Sequence, residues 1–203
     1  LCVANLANEN ENKREIWQLL NSDDVKKHLL HALSSEHPAV QRNTWRCVGN
    51  LSIQPENKRE IWQLFNTDKF KTPLENAISS ENHTVQIHAW GCIVNLSIQT
   101  ESSREIWNLL HSKDVTPYLV STISSNHPDV QINAWRCLAN LSYHDEDSQE
   151  IWQLFNNDDV KDHLLNALSS ERPYVQRYAW GCIERICTPP TTNILSRTLN
   201  NLC

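Results

Sequence analysis

Three glycines and no methionine in 203 residues is an unusual shortage. So little glycine leaves few places for tight hairpin turns or for loops that cradle phosphate, and it favours helices joined by polar connections. No apolar run reaches the roughly 18 residues that a membrane-spanning helix needs. The first residues carry no charged-then-apolar leader pattern. GxSxG, the P-loop and HExxH are all missing, and no paired carboxylates sit in an apolar setting. The expectation is a protein with no catalytic residues, no cofactor and no metal. A net charge of −6 argues against nucleic acid as a partner. The absence of an initiator methionine, with Leu1 already inside an apolar motif, predicts a piece of a longer chain.

What the chain does have is tryptophan, at fixed intervals. Trp45, Trp90, Trp135 and Trp180 are 45 residues apart, and so are Trp17, Trp62, Trp107 and Trp152. Cys2, Cys47, Cys92, Cys137 and Cys182 keep the same step, as do Asn5, Asn50, Asn95 and Asn140. A period of this size is that of a two- or three-helix repeat. Each period predicts three helices. The first is REIWQLL at 14–20 and its copies, ended by Asn- or His-led turns in which Asn tolerates left-handed backbone and Asp or Ser caps the next helix. The second is VKKHLLHALSS at 25–35, with Pro73 and Pro117 early in two of its copies, where a missing N–H matters little. The third opens at His37-Pro38 and runs through VQRNTWRCVGNLS to about Ser52.

The recurring "PxVQ….AW.C..NLS", the short REIW helix and "LL.ALSS" resemble the armadillo family, four times in register over roughly residues 1–187. HEAT repeats share the size but use two helices. The resemblance implies an all-α, right-handed α-solenoid of about four 45-residue armadillo-like three-helix repeats plus a partial N-terminal repeat. The repeats fall at 1–8 (partial), 9–52, 53–97, 98–142 and 143–187, with 188–203 as a C-terminal tail or capping helix. Pro189 and Pro190 end the last helix, and Ile194, Leu195, Leu199 and Leu202 are spaced to cover the final repeat. At the other end, Leu1 aligns with Arg46, so further N-terminal repeats or a packing partner are expected over the first repeat.

Unrolled at about 100° per residue, the third helix puts Val40, Thr44, Cys47, Val48 and Leu51 on a core face, with Trp45 on its flank against the neighbouring repeat. Positions 39, 42, 46, 49 and 50 lie opposite. Arg46, Gly91, Arg136 and Gly181 therefore share an outward row, where packing imposes nothing and the swing from arginine to glycine is a surface property.

In armadillo proteins this helix lines the concave groove, and peptide-binding members use a Trp and an Asn one turn apart on it. Asn50, Asn95 and Asn140 match the Asn, but the Trp position is Arg46, Gly91 and Arg136 here. An asparagine carboxamide can pair with the backbone of an extended peptide. The competing reading is that these asparagines bond the loop backbone of the next repeat and hold curvature. Arg42, Arg46, Arg136, Arg177 and Arg185 stand beside the row, with Tyr174 and Tyr178 in the last copy. Guanidinium groups pair with carboxylates and tyrosine adds flat contact area. The expected partner is an acidic or mixed-charge extended peptide, or a helix, unless the arginines pair with Asp and Glu of nearby loops.

The leading function is a non-catalytic protein–protein interaction scaffold. The alternatives are a nuclear-import adaptor of importin-alpha type, which predicts an acidic groove with exposed tryptophans, and an armadillo-type nucleotide-exchange factor for a chaperone. Five of the seven cysteines occupy one buried register position, so they read as small core residues rather than disulfide or zinc ligands. Cys182 and Cys187 lack a second pair, and His28 and His31 lack a third ligand. Free thiols point to a reducing compartment, the cytoplasm or the nucleus.

Overall fold

The computed structural model describes residues 12–98 and 100–188. Among the described residues there are twelve α-helices and no strand, and none of the helices is long and apolar enough to cross a membrane. The residues at either end, which carry the expectations about the partial first repeat and the C-terminal cap, lie outside them. The chain divides into two compact units, Leu1–Tyr118 and Leu119–Cys203.

The first unit contains α1 (Lys13–Leu20), α2 (Asp23–Leu33), α3 (Pro38–Leu51), α4 (Pro55–Phe65), α5 (Asp68–Ile78), α6 (His83–Leu96) and α7 (Thr100–Leu110). The unit boundary falls inside α8 (Thr116–Ile123). The second unit continues with α9 (Pro128–Leu141), α10 (Asp145–Phe155), α11 (Asp158–Leu168) and α12 (Pro173–Cys187). Three helices per 45 residues match the periodicity of the sequence. Within each unit the third helices, α3 with α6 and α9 with α12, make the most extensive contact.

Proline opens three of the four third helices, where its missing N–H has no intrahelical partner to lose. The fourth, α6, opens after Asn82, whose side chain accepts from the N–H groups of Thr84 and Val85. The first helices end without left-handed backbone. Asn21, Asn66 and Asn156 have φ of −87°, −79° and −82°, so asparagine there continues a right-handed turn. Pro73 is not in the first turn as expected. Because α5 begins at Asp68, the proline sits in the helix interior, fully packed. Pro117 does lie at the start of α8, which begins at Thr116 although the same register starts α2, α5 and α11 at Asp23, Asp68 and Asp158.

Three of the four third-helix tryptophans hold their repeat together by more than bulk, while Trp45 Nε1 is buried with no hydrogen-bond partner among the described residues. Trp90 Nε1 and Gln86 Nε2 both donate to the carbonyl of Ile78, the last residue of α5, at 3.2 and 3.0 Å. Trp135 and Gln131 do the same to Ile123, and Trp180 and Gln176 to Leu168. A helix leaves its last carbonyls without partners, and this pair supplies one of them. Trp45 and Trp135 are also stacked on Phe65 and Phe155 of the next first helix, with centroids 5.4 and 5.6 Å apart. The core face is as expected at Val48, Leu51, Cys92 and Cys137, all buried. Val40 departs from it: it is 44% exposed while its equivalents Val85, Val130 and Val175 are fully buried.

The first-helix layer of the first unit is joined by charge and indole. Trp17 Nε1 on α1 donates to Glu60 on α4 at 2.9 Å, and Arg14 reaches the same carboxylate at 2.6 Å. Trp62 on α4 donates in turn to Glu105 on α7. Asn57 is buried beneath this layer, donating to the carbonyls of Lys13 and Leu51 and accepting from Arg14.

Candidate functional site: the third-helix face

Position 50 and its equivalents come first, because the structure shows what two of them hold. Asn95 Nδ2 on α6 donates to the carbonyl of Gly49 at 3.0 Å and to Ser52 Oγ at 3.1 Å, both at the C-terminal end of α3. Arg185 on α12 occupies the same register. Its Nη1 donates to the carbonyl of Ala139, the counterpart of Gly49, at 2.6 Å. Its Nη2 donates to Tyr143 Oη at 2.5 Å, and the guanidinium lies 3.6 Å from the Tyr143 ring centroid. An asparagine in one unit and an arginine in the other thus tie one third helix to the end of the one before it. Asn50 and Asn140, the remaining members of the row, are half-buried.

The row at position 49 does not face outward as expected. Val94 and Ala139 are buried, and a side chain at Gly49 would touch the backbone of α6 at His88 and Cys92. Within the first unit this row is the seam between third helices, because α6 covers α3 at Gly49.

The arginine row is accessible. Arg42, Arg46 and Arg136 are half-buried and Arg177 is exposed; Arg42 donates to Asn43 at 3.4 Å. Tyr174 is 58% exposed and Tyr178 half-buried. A group not singled out from sequence joins them. Burial lowers the pKa of His88, and the charges of Arg46 and Arg42 lower it further. Its signal in the sequence is faint, since the register reads Asn43, His88, Asn133 and Tyr178. A clearer signal lies after each Asn-Leu-Ser: the next residue is Ile53, Ile98 or Tyr143, and each is more than half exposed.

The glycines alternating with the arginines sit under open space. A Cβ built at Gly91 meets nothing within 4 Å, and one at Gly181 meets only Arg185 Nη1 at 3.7 Å. Cys47, Cys92 and Cys182 are core thiols on the third helices. Burial pushes the thiols of Cys92 and Cys182 up to about 12 and that of Cys47 to about 11, so they stay protonated at neutral pH. Among the described residues no three His, Cys, Asp or Glu come together to hold a metal ion.

No family model matches the sequence, and no curated protein matches it either. Solved structures do resemble it. Computationally designed armadillo repeat proteins for modular peptide recognition superpose with a TM-score of 0.73 at 18% identity, over 90% of this chain and 72% of theirs. A designed armadillo repeat protein in complex with the peptide (KR)4 gives 0.72 at 18% identity, over 91% and 72%. UNC-45 from Drosophila melanogaster gives 0.68 at 17% identity, and there the match spans 90% of this chain but only 22% of the other. Twelve helices in three-helix periods, joined third helix to third helix, and these likenesses have one meaning: the fold of this chain is the armadillo-repeat fold.

Proposed function

We propose that the chain is a non-catalytic interaction scaffold that holds an acidic or mixed-charge extended segment of another protein against its third-helix face. The observation that carries this reading is the accessible pair Arg42 and Arg46, one turn apart on α3, in a chain whose net charge is −6; the imidazole of His88 on α6, its pKa lowered, adds a hydrogen-bonding group there rather than a charge. Charge of one sign gathered on one face against the balance of the chain marks where a partner of the opposite sign is attracted. Arg136 and Arg177 give the second unit the same character, and Tyr174 and Tyr178 add aromatic contact area. Asn50, Asn95, Asn140 and Arg185 set the edge of this face. At Asn95 the carboxamide nitrogen is engaged by α3, which leaves its oxygen as the group offered to a peptide N–H.

The (KR)4 peptide held by one designed relative would meet like charge here, which disfavours a receptor for basic nuclear signals. The buried, widely spaced thiols suit a reducing compartment, the cytoplasm or nucleus.

The test is fluorescence anisotropy with labelled poly-glutamate, at low salt, on the wild type and on two double reversals. Arg46→Glu with Arg136→Glu should weaken binding at least about tenfold, the loss expected from one charge-assisted contact. Lys69→Glu with Lys161→Glu, exposed lysines of the second helices, makes the same change in net charge and should alter binding less than about twofold. Equal losses in the two variants would mean diffuse attraction and would overturn the reading. Thermal unfolding should be unchanged in both.

A further inference from the structure

Resting on that reading, we infer that Gly91 keeps open a subsite for one carboxylate side chain of the bound segment, with Arg46 and His88 at its wall, and that Gly181 does the same beside Arg185.

The argument starts from a residue that the fold does not require. Gly91 lies in the middle of the 14-residue α6, and glycine weakens a helix interior relative to alanine because it has more backbone freedom to lose. Two reasons usually justify such a residue, a left-handed backbone or a close neighbour. Neither applies: the backbone is helical, and an added Cβ has nothing within 4 Å. Gly181, mid-way along α12, is in the same position, with only the tip of a flexible arginine near it. The same register carries Arg46 and Arg136 in the other two copies, so a side chain at this point is compatible with the repeat. A local choice that costs helix stability and answers no packing need points to something outside the folded chain.

What surrounds the open space identifies the visitor's chemistry. His88 lies one turn before Gly91 on α6, and its carbonyl would be 3.5 Å from a Cβ at Gly49 of α3, so the packing of the two helices brings Arg46, one turn before Gly49, alongside this stretch of α6. Beside Gly181 the guanidinium of Arg185 is 3.7 Å from where a Cβ would be. Space at a helix surface with a guanidinium alongside suits a carboxylate, which pairs with its charge; Arg185 gives one N–H to Ala139 and one to Tyr143, and a guanidinium carries five. The Arg–Gly alternation then has a purpose: one repeat provides the charge and its neighbour provides the room.

The experiment fills the space without touching the charge. Gly91→Ala should raise the melting temperature by about 1–3 °C, since a helix gains from the exchange and nothing is struck. Gly91→Leu should keep that stability while weakening poly-glutamate binding about tenfold, with Gly91→Gln serving as the filling variant should the leucine promote aggregation. Combining Gly91→Leu with Arg46→Gln should lose no more than the stronger single variant, because both serve one ligand side chain. Wild-type affinity in the filled variants, with binding still lost on reversing Arg46 and Arg136, would overturn the subsite and leave the basic face standing. Failure of the wild type to bind poly-glutamate would overturn both. A melting temperature lowered by Gly91→Ala would show that the fold itself needs the glycine, and would equally overturn the inference.

Discussion

Trp135 and Trp180 share the motif AW.C and make the same hydrogen bond, to the last carbonyl of the preceding second helix, at 3.1 and 3.2 Å. Yet Trp135 is fully buried and stacked on Phe155, while Trp180 is 54% exposed. The two indoles separate what a repeat does for itself from what its neighbour adds. The hydrogen bond closes within one repeat, so Trp180 keeps it without a covering neighbour. Burial depends on a further first helix laid over the ring, and among the described residues α12 has none.

That division predicts unequal costs for equal substitutions. Trp135→Ala empties a packed site and should destabilise by about 3–5 kcal/mol, within the range for large aromatic deletions in cores. Trp180→Ala loses one hydrogen bond and little burial, and should cost only about 1 kcal/mol. Urea unfolding midpoints of the two variants check this. Comparable losses would mean that Trp180 is covered in solution, and the contrast would fail.

The polar latch between third helices sharpens the same comparison. Asn95→Ala leaves the carbonyl of Gly49 with the hydroxyl of Ser52 as its remaining side-chain donor and removes a donor from Ser52, at a half-buried seam, and should cost about 1 kcal/mol. Arg185→Ala gives up its bond to Ala139 and its stacking on the exposed ring of Tyr143, where water can take over, and should cost about 1 kcal/mol or less. Arg185→Asn restores the donor that the other unit uses and should recover most of that loss; stability no better than the alanine variant would show that the ring contact, not the carbonyl, is what matters.

The periodicity of tryptophan, cysteine and Asn-Leu-Ser makes the three-helix repeats legible without any coordinates, because each ladder marks a buried position that every copy must fill. The proline-led starts of three third helices are legible for a similarly local reason. What the sequence hides is where one repeat uses a residue to reach another. Position 49 reads as outward because a single helix unrolled alone has no neighbour, and only stacking buries Val94 and Ala139. Asn95 suits a ligand and a latch equally, since a carboxamide serves either, and its partner lies 46 residues away in sequence. Gly91 stands out as a swing in the sequence, but the open space above it needs the surrounding atoms. His88 carries no periodic signal at all, and its exposure to the charges of Arg46 and Arg42 is a product of packing α3 on α6.

The smallest expected effect concerns the first-helix layer, where the neighbour contributes charge. The bond from Arg14 holds the pKa of Glu60 below the ordinary glutamate value, and the indole N–H of Trp17 adds to this. A carboxyl whose folded pKa is lowered binds its proton later than the unfolded chain does. Its contribution to stability is therefore complete above the ordinary glutamate range and disappears as pH falls from that range through the lowered folded value. The two side chains are 40% and 35% exposed, so water screens the pair, and the amount at stake is below about 1 kcal/mol. Glu60→Gln keeps an acceptor for Trp17 but cannot ionise. Unfolding midpoints measured from neutral pH into acid should converge for the wild type and this variant as the window is crossed, with the wild type more stable only above it. A gap that persists unchanged in acid would mean that the bond to Trp17, rather than the charge on Glu60, joins α1 to α4.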